Sequence, residues 1–253
     1  MLKTIKYCVV ILKGFFINDI NVTPRDFSID VGRPTPERSK KRVVRPLIGI
    51  PSPRDIPDFI AAMRYFCEAP RIWAKYYTEL FAYQHIRNFF LKEKEFTHLV
   101  ILPDDLLVTP QAFALLKRDL EEEEKDYPYL AGICNAKYGE DRVACKDTLG
   151  GGFITNEHLD EVRMNQGGHP IVKLRHDGFA CSFIRRDVVE RIEFGVMMTT
   201  AVDHHFALNC YKLGIPIHVD TRARMTHLCE QPPYGNFEYF KVGKEKPYMR
   251  FEY

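Results

Sequence analysis

The chain has 253 residues, 45% of them hydrophobic and 28% charged, with a formal net charge of +2. That length accommodates one large domain or two small ones around a substantial core, and nothing in the charge balance demands nucleic acid or an anionic membrane as partner. Seven cysteines are scattered without a CxxC pair, a pattern of reduced thiols in a cytoplasmic protein rather than of a disulfide framework or a structural zinc site.

In chain order, MLKTIKYCVVILKGFFI has a basic start and an apolar stretch, but Lys13 and Gly14 interrupt it. It falls far short of the ~20 residues of a membrane span, so a local strand or hairpin is expected rather than a signal or anchor. No later segment is long and apolar enough to span. Residues 21–45 carry three prolines, one glycine and the basic cluster Arg38–Arg42. Residues 1–43 are therefore expected to be an N-terminal arm or linker.

From Arg45 the pattern becomes regular. PLIGIPSP reads as a short strand, and the segment from about Pro57 to Lys94 reads as helical, with Trp73, Tyr76, Tyr77 and Tyr83 packed in the core. HLVIL is a strand, residues 109 to about 126 a helix, and YLAGICNAK a strand. The glycines 150–152 and the polar sequence up to Gly168 are expected to be loops or a small hairpin. IVKLRHDGFACSFIRRDVVERI reads as strand, turn, strand and helix, and TTAVDHHFALNCYKLG as a helix with Gly214 at its C′ position. IPIHVD and ARMTHL are further short strands. Strands alternating with helices imply a single α/β domain over 44–230, with a mixed, mostly parallel sheet flanked by helices. Residues 231–253 show no clear period and are expected to be an aromatic C-terminal extension.

The residues with chemistry lie at strand ends. In HLVILPDDLLVTP an apolar run stops at Asp104 and Asp105. Two adjacent carboxylates at a core edge repel and lose hydration unless a positive group joins them. One reading is a Mg²⁺ or Mn²⁺ site completed by substrate phosphates, since ligands of open α/β sheets bind outside the carboxyl ends of the strands. The other is capping of the following helix, with Pro110 in its first turn. Arg87 on a helix suits a phosphate or a base, or a purely structural role. His227 after a strand suits a metal or a diphosphate oxygen, or simple packing. Asp203 at a helix start is either a cap or a general base, and a base there could use a raised pKa from partial burial. His176 and Asp177 before Gly178 suit sugar contacts or a turn. The glycines 150–152 match no P-loop, because no GK[ST] follows.

Four segments in order resemble the GT-A family of nucleotide-sugar glycosyltransferases. QHIRNFF is similar to the family's Arg-Asn helix near the nucleotide. THLVILPDDLLVTPQAF resembles its metal-binding DxD segment. HDGFACSFIRRDVVERI resembles its acceptor-side segment, and AVDHHFALNCYKLGIPIHVDTRARMTHL its late acidic motif with a distal histidine. Pro103 stands where the family's first acidic residue is expected, which puts most weight on Asp105. The resemblance implies a GT-A-like fold and a metal-assisted transfer from a UDP- or GDP-sugar to a hydroxyl acceptor on a glycan, protein, lipid or modified nucleic acid. It assigns Asp104, Asp105 and His227 to a Mn²⁺ or Mg²⁺ ion, and Pro51, Arg87, Asp104 and Asp105 to the donor nucleotide. Asp177, Gly178, Phe179 and His204 fall to the acceptor, and Asp203 is the general base of an inverting reaction. Two other classes fit the same residues: a metal-dependent nucleotidyl- or phosphoryl-transfer enzyme, and a non-catalytic nucleotide-sugar-binding protein of the same fold.

Overall fold

The computed structural model describes residues 42–122, 126–136, 141–196, 201–228 and 245–253. The chain divides into two compact units, Met1–Arg38 and Ser39–Tyr253, and the described residues all belong to the second. Of the expected N-terminal arm only Arg42 and Val43 are described; residues 1–41, with the rest of the basic cluster, lie outside the described residues.

The elements in chain order are β1 (Pro46–Ser52), α1 (Pro57–Tyr65), β2 (Arg71–Lys75), α2 (Glu79–Lys92), β3 (His98–Ile101), β4 (Leu106–Leu107), α3 (Pro110–Glu122), β5 (Tyr129–Ile133) and β6 (Cys145–Lys146). They continue as α4 (Asn156–Asn165), β7 (Ile171–Leu174), β8 (His176–Asp177), β9 (Ser182–Arg185), α5 (Arg186–Arg191), α6 (Val202–Lys212), β10 (Ile217–Arg224), β11 (Thr226–His227) and β12 (Tyr248–Glu252).

Eight strands form one sheet in the order β12-β2-β1-β3-β9-β5-β10-β7. Strands β1, β2 and β3 are mutually parallel, and β3 and β5 both run antiparallel to β9 between them. Strand β10 follows β5, whereas β12 and β7 close the two edges antiparallel to their neighbours. The sheet is thus mixed, as the sequence suggests, but the expected parallel majority holds only for strand direction. Five strands (β1, β2, β3, β5, β10) point one way, yet the reversed β9, β7 and β12 leave more antiparallel than parallel pairings.

Alternate residues of the strands feed two cores, one on each face of the sheet. Leu47, Leu99 and Tyr129 pack with Ile86 of α2, Val188 of α5 and Phe206 of α6. Ile48, Val100 and Leu130 pack with Phe59 of α1 and Phe113 of α3. Helix α2 lies so close to β1 that a Cβ on Gly49 would come within 2.3 Å of Ile86 Cγ2.

Three segments depart from the sequence reading. The expected long helix from 57 to 94 is α1, β2 and α2, because Pro70 ends the helical register. A short strand buried along most of its length, as in β2's RIWAK, shows no alternation to distinguish it from helix. Trp73 therefore sits in a strand, and only Tyr83 of the four aromatics lies on a helix. Helix α4 occupies part of the stretch expected to be loop; the Thr155 hydroxyl accepts from the His158 amide at 3.1 Å and starts it. Residues 248–252, in the expected extension, form β12 and pair along the whole of β2.

Candidate functional site

The five like-directed strands deliver their carboxyl ends to one edge of the sheet. Strand order reverses at β1, which has β2 on one side and β3 on the other. Such a switch point leaves a crevice between the two loops, the usual ligand site of an open α/β sheet. A cleft of about 370 Å³ opens there, lined by Pro51 at the end of β1, Arg54 after it, Pro103, Asp104 and Asp105 after β3, and Asp203 of α6.

Asp104 and Asp105 do not cap α3. That helix starts at Pro110, and the Thr109 hydroxyl accepts from the Ala112 amide at 3.1 Å. The positive group the pair requires is Arg54, whose Nη2 lies 3.1 Å from Asp104 Oδ1 and 3.1 Å from Asp105 Oδ2. Both carboxylates are buried. Burial, with a smaller contribution from Asp105, pushes the Asp104 carboxyl up to about 7, against the opposing pull of Arg54, Lys75 and Ser52. Asp104 Oδ2 is buried without a hydrogen-bond partner.

Strand β11 pairs with β4 so that His227 sits opposite Leu106, and the Leu228 amide donates to the Asp105 carbonyl at 2.8 Å. His227 Nε2 lies 3.7 Å from Asp105 Oδ2, while Nδ1 is 3.0 Å from the Asn135 carbonyl. A proton on Nδ1 donated to that carbonyl leaves the Nε2 lone pair turned towards the carboxylates, the arrangement of a metal-binding imidazole. Among the described residues, no group of three or more His, Cys, Asp and Glu side chains is arranged to hold a metal ion. The two carboxylates are hard oxygen donors of the type a divalent cation takes, and Asp105 Oδ2 is the atom that both Arg54 and His227 approach.

The loop after β1 is anchored from behind. Lys75 at the end of β2 donates to Ser52 Oγ at 3.2 Å and pairs with Asp55, which also accepts from the Tyr76 hydroxyl at 2.6 Å. Ser52 Oγ in turn donates to the Arg54 carbonyl at 2.8 Å. Polar contacts thus run from β2 through the β1 loop to the aspartate pair. The sequence reading missed Arg54 and Lys75. The signal was present in SPRD, where charge directly follows the first strand at the edge that binds ligands.

Asp203, which lines the same cleft, lies in the first turn of α6, past the N-cap Ala201, and its Oδ1 accepts from the His204 amide at 2.6 Å. Its Oδ2 lies 3.4 Å from Nε2 of the buried His176. Burial pushes the Asp203 carboxyl up, but hydrogen bonding and charge from His176 outweigh it, so the group sits below its ordinary value. This corrects the expectation of a raised pKa. Gly178 is packed so tightly on the backbone of Ala144 that a Cβ would come within 3.1 Å of that carbonyl. Phe179 and Cys181 have φ of +58° and +54°, a left-handed conformation that costs side-chain-bearing residues on the order of 1–3 kcal/mol each and collects at functional sites.

Pro51, Asp104, Asp105, Gly178, Phe179, Asp203 and His227 all line this one cleft. Three of the expected site residues do not. Arg87 donates to the carbonyls of Val189, Glu190 and Ile192. It therefore caps the carboxyl end of α5, where orphan carbonyls attract a cation, instead of reaching a nucleotide. Arg186 of α5 returns the arrangement on the end of α2 through Phe90, Glu93 and Phe96. Asp177 is likewise committed: it accepts from Tyr129 at 2.8 Å, Ser182 at 2.6 Å and the Ala180 amide at 3.3 Å. It pins the 178–181 loop and does not face an acceptor. His204 sits beside His176, with ring centroids 5.5 Å apart, outside the residues that line the cleft.

Among the described residues, no helix is long and apolar enough to cross a membrane. No protein-family model and no curated protein matches the chain. Solved structures do match it, 37 chains in all. One is the crystal structure of A197 from STIV, with a TM-score of 0.53 and 14% sequence identity over 70% of this chain and 82% of that one. At this identity the likeness is one of fold: an α/β sheet flanked by helices.

Proposed function

We propose that the protein is a GT-A-type glycosyltransferase that moves a sugar from a UDP- or GDP-sugar to a hydroxyl acceptor with inversion. The observation that carries this reading is one cleft lined both by Asp104, Asp105, Arg54 and His227 and by Asp203. The first group suits a charged leaving group, and Asp203 suits the removal of a proton. A bound Mn²⁺ or Mg²⁺ ion would supply Lewis-acid neutralisation of the departing diphosphate. Asp105 and His227 would hold that ion, Arg54 would add a guanidinium fork suited to phosphate oxygens, and Pro51 would border the nucleoside. Asp203, ionised at neutral pH, would take the acceptor's proton as its oxygen attacks the anomeric carbon. His176 would hold Asp203 Oδ2 in place, and the strained Phe179 turn would form the wall against the sugar.

Thermal denaturation with nucleotides in the presence and absence of Mn²⁺ tests the assignment. Stabilisation by UDP or GDP with Mn²⁺ is expected. Preference for triphosphates would favour a phosphoryl-transfer enzyme. Stabilisation by a nucleotide sugar without any turnover would favour a binding protein.

A further inference from the structure

We propose that Arg54 is a built-in counter-cation that competes with the divalent ion for Asp104 and Asp105, so that metal and diphosphate bind as a coupled pair. This rests on the glycosyltransferase reading of the cleft. Nη2 of Arg54 spans both carboxylates at 3.1 Å, and the three side chains are only 12%, 3% and 6% exposed. In that dry setting the guanidinium holds one oxygen of each carboxylate, and its Asp105 oxygen is the one that His227 Nε2 faces at 3.7 Å. A divalent ion arriving alone would meet a fixed positive charge at contact distance, where repulsion is strong and poorly screened.

The backbone of Arg54 does not retreat easily. Its carbonyl is held by Ser52 Oγ, which Lys75 holds in turn. Relief comes from the side chain turning to another anion. A diphosphate entering with the metal provides one, and the planar guanidinium matches its oxygens. The aspartates then pass to the metal, and Arg54 passes to the phosphate. Binding of either ligand therefore favours the other by the same factor, as linkage requires.

The test is calorimetric titration of the full chain with Mn²⁺, with and without UDP or GDP, for wild type and Arg54→Ala; Arg54→Gln serves if alanine does not fold. Two changes of opposite sign are expected. The variant binds Mn²⁺ alone on the order of tenfold tighter, and the gain in Mn²⁺ affinity caused by the diphosphate shrinks on the order of tenfold. A residue that only supports the loop would leave Mn²⁺ affinity unchanged or weaken it. That result, with wild type still binding Mn²⁺ and diphosphate together, overturns the exchange and leaves the glycosyltransferase reading standing. Wild type that binds neither ligand overturns both.

Discussion

His227 Nε2 faces Asp105 Oδ2 at 3.7 Å, although one residue ends the two-residue strand β11 and the other lies in the turn after β3. The β4–β11 pairing and the Leu228 amide bond to the Asp105 carbonyl hold the two together. His227→Ala should weaken Mn²⁺-dependent nucleoside diphosphate binding about 10- to 100-fold with little change in melting temperature. Calorimetry checks this directly. Equal loss of nucleotide affinity with and without Mn²⁺ would show that His227 acts through the fold and not through a cation.

Asp203→Asn keeps the shape and the bond from the His204 amide but removes the proton acceptor. Turnover should fall about 10²- to 10⁴-fold while donor affinity stays within about twofold. Steady-state kinetics with a competent acceptor, together with donor titration, separates the two. A variant that turns over normally would exclude Asp203 as the base.

Arg87→Ala should lower stability by about 1–3 kcal/mol, because it strips the N–H donors from the carboxyl end of α5. Nucleotide affinity should not change. Denaturant unfolding and nucleotide titration on the same variant check both parts. Asp177→Ala should be more damaging, by roughly 2–5 kcal/mol, since it leaves the Tyr129 and Ser182 hydroxyls buried without their acceptor.

Stability should also carry a pH signature from the far side of the sheet. Asp119 of α3 lies against Arg222 and near Asp220 of β10. Burial, with hydrogen bonding and charge from Asp220, pushes Asp119 up to about 6 despite Arg222. The folded state therefore binds the Asp119 proton more tightly than the unfolded chain does. The contribution is fully present below about pH 4 and is lost as pH rises through about 6. Asp119→Asn should flatten that slope, a change on the order of 2 kcal/mol across the window, readable from urea unfolding at several pH values. An unchanged slope would assign it to other groups.

How much of this the sequence carried depends on how local each signal is. The strand ending in Asp104 and Asp105 was legible because an apolar run broken by charge needs no partner to be noticed. Helix α6 with Gly214 was legible for the same reason; Gly214 has φ of +68°, as a C′ glycine should. Strand β2 was not legible, since five residues mostly buried on both faces look like a continuation of the neighbouring helices. Arg87 and Arg54 show the same limit from opposite sides. Both are arginines beside plausible motifs, and only the third dimension shows that one meets helix carbonyls and the other meets the aspartates. Asp177 reads like a site residue because it precedes a glycine turn, yet its three partners come from β5, β9 and its own loop.

The most direct test of the central claim is the identity of the product released from UDP- and GDP-sugars with Mn²⁺, compared between wild type and Asp105→Ala. Cleavage between the anomeric carbon and the diphosphate oxygen by the wild type alone, giving the free nucleoside diphosphate, is the predicted result. Release of nucleoside monophosphate or pyrophosphate, or equal release by Asp105→Ala, would contradict the account.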